Sequence, residues 1–185
     1  MIKTFTGPMF SGKTSALLTV YFNMWNKKNI MCFKPKMNTR DDGIKSKNIR
    51  ENVPAIEIED LKEIPKHLKK NTRTIFIDEA NFLKGDVSIL TDLNINKNID
   101  IYIAGLNMTS EQKPFGIMPN ILAISDFIEI SKSYCTICNR EASFTYFEGN
   151  KEGDIIVGDS GYISLCEECL RKRRGNNKWK RKDLH

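Results

Sequence analysis

Gly7-Pro8-Met9-Phe10-Ser11-Gly12-Lys13-Thr14 fits the pattern G-x-x-x-x-G-K-S/T, and the segments on either side of it decide the fold. Before it, residues 2–6 (IKTFT) are rich in β-formers and read as a strand. After it, residues 13–26 (KTSALLTVYFNMWN) carry too many apolar side chains for a surface helix and read as a largely buried one. Strand, glycine loop, helix is the setting in which this pattern cradles phosphate. Glycines let backbone N–H groups converge on phosphate oxygens without side-chain clash, and the helix start adds its positive dipole end. Lys13 is placed to reach the β- and γ-phosphates of a nucleoside triphosphate, and Thr14 to offer its hydroxyl to Mg²⁺.

Further along, residues 30–33 and 74–77 are short apolar runs, as is 99–104 apart from Asp100. Residues 53–58 read as another strand, and residues 61–70 and 86–93 as helices, Pro65 weakening the first. Strands that are apolar throughout, alternating with helices, indicate a parallel sheet covered on both faces. The fold class expected is α/β: a P-loop, RecA-like parallel-sheet domain over residues 1–131. The polar stretch 34–52 reads as a long loop, as does 105–116.

The strand at 74–77 ends in Asp78-Glu79. Ligands of open α/β sheets sit at the C-terminal strand edge, so both carboxylates arrive where a substrate must lie. Asp78 is the expected metal-side acid. Glu79 is either a proton acceptor for a substrate hydroxyl or an acid stabilised in the first turn of a helix.

From about residue 131 the segments become short and β-like, punctuated by Cys135-Thr-Ile-Cys138 and Cys166-Glu-Glu-Cys169. Two such pairs can place four thiolates on one tetrahedral Zn²⁺, which supplies folding free energy to a segment too small for a core of its own. A second unit, a zinc-ribbon lasso over residues 132–170, is expected. Cys32, alone in an apolar strand, reads as a small buried hydrophobe.

With 185 residues, the chain is long enough for one core plus this appendage. No apolar run approaches the roughly 20 residues of a membrane span, and nothing resembles a signal peptide, so a cytoplasmic protein without a membrane partner is expected. Residues 171–185 carry eight Lys/Arg against one Asp, so the net charge of +6 lies in this tail and the remainder is close to neutral. The tail reads as basic and solvated, and a nucleic-acid partner as unlikely, because the cysteine segment has no basic face.

Taken together, these motifs resemble the thymidine kinases that join a P-loop domain to a zinc-bound lasso. The carriers are the phosphate loop with its filling GPMFSGK, Asp78-Glu79-Ala80-Asn81-Phe82, the loop from Gly105 to Gly116, the Cys135–Thr145 segment and Tyr162-x-Ser164-x-Cys166. The resemblance covers residues 1 to about 170. It implies transfer of the ATP γ-phosphate to the 5′-hydroxyl of thymidine or deoxyuridine, with Glu79 as general base. ATP would be held by residues 7–14 (Gly7, Pro8, Met9, Phe10, Ser11, Gly12, Lys13, Thr14), by Asn38, Thr39 and Arg40, and by Asp78 to Asn81 (Asp78, Glu79, Ala80, Asn81). Thymine would lie among Met9, Leu106, Ser110, Phe115, Thr145, the lasso residues Ile155, Ile156, Val157 and Gly158, and Tyr162. The resemblance further implies Mg²⁺ with ATP at Thr14 and Asp78, structural Zn²⁺, a homotetramer, and feedback by dTTP.

The chain departs from the family pattern at particular residues. Asn38 and Asn107 stand where the family has aspartates, Met108 where it has glycine, and Ser110 where it has an aromatic. A second reading is therefore a divergent nucleotide-binding protein that keeps the loop without turnover. A third is a nucleic-acid-binding zinc module driven by a P-loop ATPase.

Overall fold

The computed structural model describes residues 1–24, 27–36, 43–46, 49–149 and 160–177. In chain order these form β1 (Ile2–Thr6), α1 (Lys13–Asn23), β2 (Ile30–Pro35), β3 (Ile44–Ser46), β4 (Ile49–Val53), β5 (Ile56–Ile58), α2 (Ile64–His67) and β6 (Thr74–Ile77). There follow α3 (Ser88–Ile95), β7 (Asp100–Gly105), α4 (Met118–Ala123), β8 (Phe127–Ile130), β9 (Ser133–Tyr134), β10 (Glu141–Ala142), β11 (Phe144–Phe147), β12 (Tyr162–Leu165) and α5 (Glu167–Asn177).

Six strands form one sheet in the order β5-β2-β6-β7-β1-β8, with every pair parallel. The expected α/β class is what is found. Side chains alternate across each strand, and both faces of the sheet centre are covered, which is why β6 is buried at every position while the edge strand β8 is exposed. On one face Ile75, Ile77, Ile101 and Ile103 pack with Leu61, Ile64, Leu90, Leu93 and Met118. On the other, Phe5, Cys32, Phe76 and Ala104 pack against Leu17 and Leu18 of α1 and against Ile44 and Val53. Cys32 is buried as expected, and burial pushes its thiol up to about 12.

The stretch 34–52 is not one loop. β2 runs on to Pro35, and β3 pairs antiparallel with β4 as a hairpin on α1. Among the described residues of β3 and β4, only Ile44 and Val53 are buried, so the exposed polar ones carry a loop-like composition. Its Ser46 Oγ lies 2.5 Å from Ser15 Oγ, next to the phosphate loop. The helix expected over 13–26 ends at Asn23, where Lys27 Nζ donates to the carbonyls of Tyr21, Phe22 and Met24 at 3.0–3.3 Å. A cation there satisfies carbonyls that the helix end leaves unpaired. The helix expected over 61–70 is a short 3-10 turn followed by the four residues of α2.

Beyond β8, the hairpins β9–β10 and β11–β12 and the helix α5 surround the four cysteines. α5 continues through residues 171–177, the first part of the stretch expected to be a tail. Arg171 and Lys172 pair with Glu167 and Glu168 one turn earlier, and Arg173 with Glu148 of the loop after β11. Among the described residues, no helix is long and apolar enough to cross a membrane.

Candidate active site and cysteine cluster

β1 delivers the glycine loop at the C-terminal edge of the sheet. Gly7 has φ +142°, and a Cβ there would meet the Ser131 carbonyl oxygen at 2.2 Å, so only glycine fits. Gly12 caps α1 in the left-handed region at φ 82°. Phe10 is also left-handed, at φ 62°, which is strained for a residue with a side chain.

Lys13 is buried, and its Nζ donates to the Pro8 carbonyl at 2.7 Å. Its ammonium therefore lies over the loop that would cradle a phosphate. Desolvation lowers its pKa, opposed by the charges of Glu79 and Asp78. Thr14 Oγ1 donates to Asp78 at 3.1 and 3.3 Å. A hydroxyl and a carboxylate at this distance beside the loop are hard oxygen donors of the kind Mg²⁺ takes, directly or through water, so the donor set fits the ion.

Asp78 is buried, and desolvation followed by repulsion from Glu79 raises its pKa to about 7. The raised value sets the sign of its pH effect. The unfolded carboxyl titrates near 3.9, so between about pH 4 and 7 the folded state holds a proton that the unfolded chain has lost. In the absence of cations, Asp78 therefore costs stability increasingly as pH rises through that window. Asp78→Asn is expected to raise Tm clearly at pH 8 and little at pH 5, measured in EDTA. An equal effect at both pH values would refute the assignment.

Glu79 has φ 50° and precedes the single 3-10 turn Ala80–Phe82, making no side-chain cap bond to it. Asn81 is buried. Its Oδ1 accepts from Leu106 N–H at 2.9 Å, which ties the β6 edge to the loop after β7. That loop is a compact hairpin, closed by Thr109 N–H to the Lys113 carbonyl and by Phe115 N–H to the Asn107 carbonyl.

The residues assigned to the base come together from three segments. Met9 N–H donates to Thr145 Oγ1 at 2.9 Å. Gln112 Nε2 bridges the carbonyls of Ser110 and Thr145. Tyr162 lies two residues from Ser164, the cross-strand partner of Thr145, so all three share one face of β11–β12. Leu106 and Phe115 are buried on the same loop as Ser110. The assigned residues Asn38, Thr39, Arg40, Ile155, Ile156, Val157 and Gly158 lie outside the described residues.

The Sγ atoms of Cys135, Cys138, Cys166 and Cys169 all lie within 4.8 Å of one another. Cys138 Sγ is 3.6 Å from Cys166 Sγ and 3.7 Å from Cys169 Sγ. A disulfide needs about 2.05 Å, whereas a tetrahedron with Zn–S arms of about 2.3 Å has edges of about 3.8 Å. The four thiols fit a metal such as zinc. The turn through the first two cysteines closes on Asn139, just after Cys138, at φ 57°, with its N–H donating to the Cys135 carbonyl. Arg140 donates to Cys138 Sγ at 3.4 Å and lowers that thiol to about 6, which favours the thiolate a metal requires.

Sequence reasoning assigned no role to Ser164, Gln112 or Arg174. Ser164 Oγ donates to the Met9 carbonyl at 2.9 Å. Arg174 of α5 donates to the Glu111 carbonyl at 3.0 Å and to Gln112 Oε1. The spacing of Ser164 from Cys166 was visible; its partner, across most of the chain, was not.

Residues 1–170 match the family model described as thymidine kinase. A thymidine kinase of Aster yellows witches'-broom phytoplasma is 36% identical over 171 residues, which cover 87% of this chain and 81% of that protein. One from Onion yellows phytoplasma is 37% identical over 172 residues, with the same coverage. One from Pseudothermotoga lettingae is 32% identical over 177 residues, covering 92% of this chain and 95% of that protein. With a phosphate loop, a paired acid edge and a four-cysteine cluster matched over nearly its whole length, this chain belongs to the thymidine kinase family of kinases.

Proposed function

We propose that the chain transfers the γ-phosphate of ATP to the 5′-hydroxyl of thymidine or deoxyuridine, giving the 5′-monophosphate and ADP. The observation that carries this is the convergence of Lys13, Thr14, Asp78 and Glu79 at one sheet edge, directly beside Met9 and Thr145. The loop amides and Lys13 hold the triphosphate, Lys13 exchanging the Pro8 carbonyl for phosphate oxygens. Glu79 takes the proton of the 5′-hydroxyl as its oxygen bonds to the γ-phosphorus. The bond to the bridging oxygen breaks and ADP leaves with that electron pair. Thr14 and Asp78 would hold Mg²⁺ together with ATP, and the ion would supply neutralisation of charge on the phosphates. Arg40 steadies the transferring group. The pocket of Met9, Leu106, Ser110, Phe115, Thr145 and Tyr162, with residues 155–158, takes the base.

The cysteine-bound ion is structural, because four thiolates leave no open position for a water nucleophile. The reading divides the chain into a nucleotide-binding domain (1–131), a zinc-bound lasso (132–170) and a basic extension. It includes a homotetramer, cytoplasmic residence and dTTP feedback. The exposed apolar edge strand β8, with Phe127, Ile128 and Ile130, supports association of copies. The test of the function is phosphoryl transfer from ATP against a panel of natural deoxynucleosides. Turnover confined to thymidine and deoxyuridine is expected, and ATP binding without turnover of any of them would favour the divergent nucleotide-binding protein.

Ser110 gives a specificity prediction. It is half-buried beside Thr145, where the family carries an aromatic, and a hydroxyl leaves room beside the base. Ser110→Phe is expected to shift the ratio of kcat/KM toward thymidine and away from a bulky 5-substituted deoxyuridine by roughly 10–200-fold. An unchanged ratio in a folded variant would show that Met108 or the lasso already closes the space.

A further inference from the structure

We propose that Ser164 is a positioning residue for triphosphate binding: with Thr145 it clamps both backbone groups of Met9 and holds the phosphate loop in its binding shape. Met9 N–H donates to Thr145 Oγ1 and the Met9 carbonyl accepts from Ser164 Oγ, both at 2.9 Å. Thr145 and Ser164 are cross-strand partners in β11–β12, and the two residues are 5% and 2% exposed. Water therefore does not replace either bond cheaply.

The clamp has a mechanical consequence. The residue after Met9 is Phe10, held left-handed at φ 62° between the left-handed Gly7 and Gly12. Such a conformation persists in a residue with a side chain only where neighbouring contacts over-determine it. The Met9 peptide, one residue before Phe10, is a point at which the β11–β12 hairpin grips this strained turn. With its N–H donating to Thr145, Met9 is withdrawn from the phosphate, which leaves the amides of the following residues to converge on it.

Ser164 is in turn held from behind. Its carbonyl accepts from Thr136 N–H at 2.9 Å, inside the first cysteine pair, and Cys166 lies two residues on. The shape of the phosphate loop is thus set partly by a hairpin 136 and 155 residues away in sequence.

The inference rests on the kinase reading only for what the loop binds, and the test measures binding without turnover. ATP affinity is measured by calorimetry with Mg²⁺ and no nucleoside, for the unsubstituted chain, Ser164→Ala, Ser164→Thr and Thr145→Val, each checked for metal content and Tm. Ser164→Ala is expected to weaken ATP binding roughly 5- to 30-fold, the effect of one buried hydrogen bond lost, with metal content unchanged. Ser164→Thr restores the donor and most of the affinity. Thr145→Val, which removes the acceptor for Met9 N–H at nearly constant shape, weakens ATP to a similar degree and carries the test if Ser164→Ala does not fold. Unchanged ATP affinity in a folded Ser164→Ala or Thr145→Val protein overturns the proposal. Tight ATP binding with no transfer to any deoxynucleoside would overturn the kinase reading and leave the clamp standing.

Discussion

Glu79→Gln is expected to lower kcat with thymidine by about 10²–10⁴ while leaving ATP binding within a few-fold of the unsubstituted protein. Glutamine keeps the size and hydrogen-bonding reach of the side chain but cannot accept the proton. The geometry favours Glu79 over its neighbour. Asp78 is buried, takes the Thr14 hydroxyl, and has its pKa raised to about 7, which suits a metal-side acid. Glu79 is only half-buried and sits on a left-handed turn. A substitution confined to the proton acceptor should appear in kcat more than in KM. Near-normal turnover by Glu79→Gln would refute the assignment. Asp78→Asn should instead raise the Mg²⁺ requirement, so the two carboxylates are separable in one set of assays.

Removal of the metal proposed for the four-cysteine cluster, by chelation or by Cys166→Ser, is expected to unfold the β11–β12 hairpin and abolish nucleoside binding. The apolar cluster around the cysteines is small: Ala142, Leu165 and Leu170 are its buried members besides three of the cysteines, with Phe144, Tyr146 and Ile163 partly buried against it. A few side chains at about 1.5–3 kcal/mol each do not offset the entropy of ordering these hairpins, whereas structural zinc supplies on the order of 10 kcal/mol. The six-stranded sheet keeps its own core without the cluster. ATP binding should therefore weaken less than nucleoside binding. Nucleoside affinity by calorimetry and far-UV circular dichroism check the two halves of this expectation. Well under one metal ion per chain in freshly purified, fully active protein would exclude a structural metal.

Much of the site was legible from short stretches of chain. The phosphate loop follows from eight contiguous residues, because glycine stereochemistry and a helix start suffice to shape it. The buried strands announced themselves because a parallel sheet covered on both faces needs apolar residues at every position, as in Thr74–Ile77. The β3–β4 hairpin was hidden because, among its described residues, only Ile44 and Val53 are buried, so that its composition is that of a loop. The helical start of the basic stretch was hidden for a related reason: its charges are paired one turn apart and with Glu148, which no run of Lys and Arg reveals.

By itself, the sequence determined the P-loop α/β class, the two carboxylates at the end of β6 and the four thiols. Each depends on residues a few positions apart whose local geometry admits few alternatives. Only the tertiary structure decided that Glu79 takes a left-handed backbone, that Asn81 anchors the loop after β7, and that Thr145 and Ser164 grip Met9. Those hydrogen bonds join residues 25 to 155 positions apart. Their partners are chosen by sheet order and hairpin register, which bring distant backbone groups into burial where each must find a donor or an acceptor.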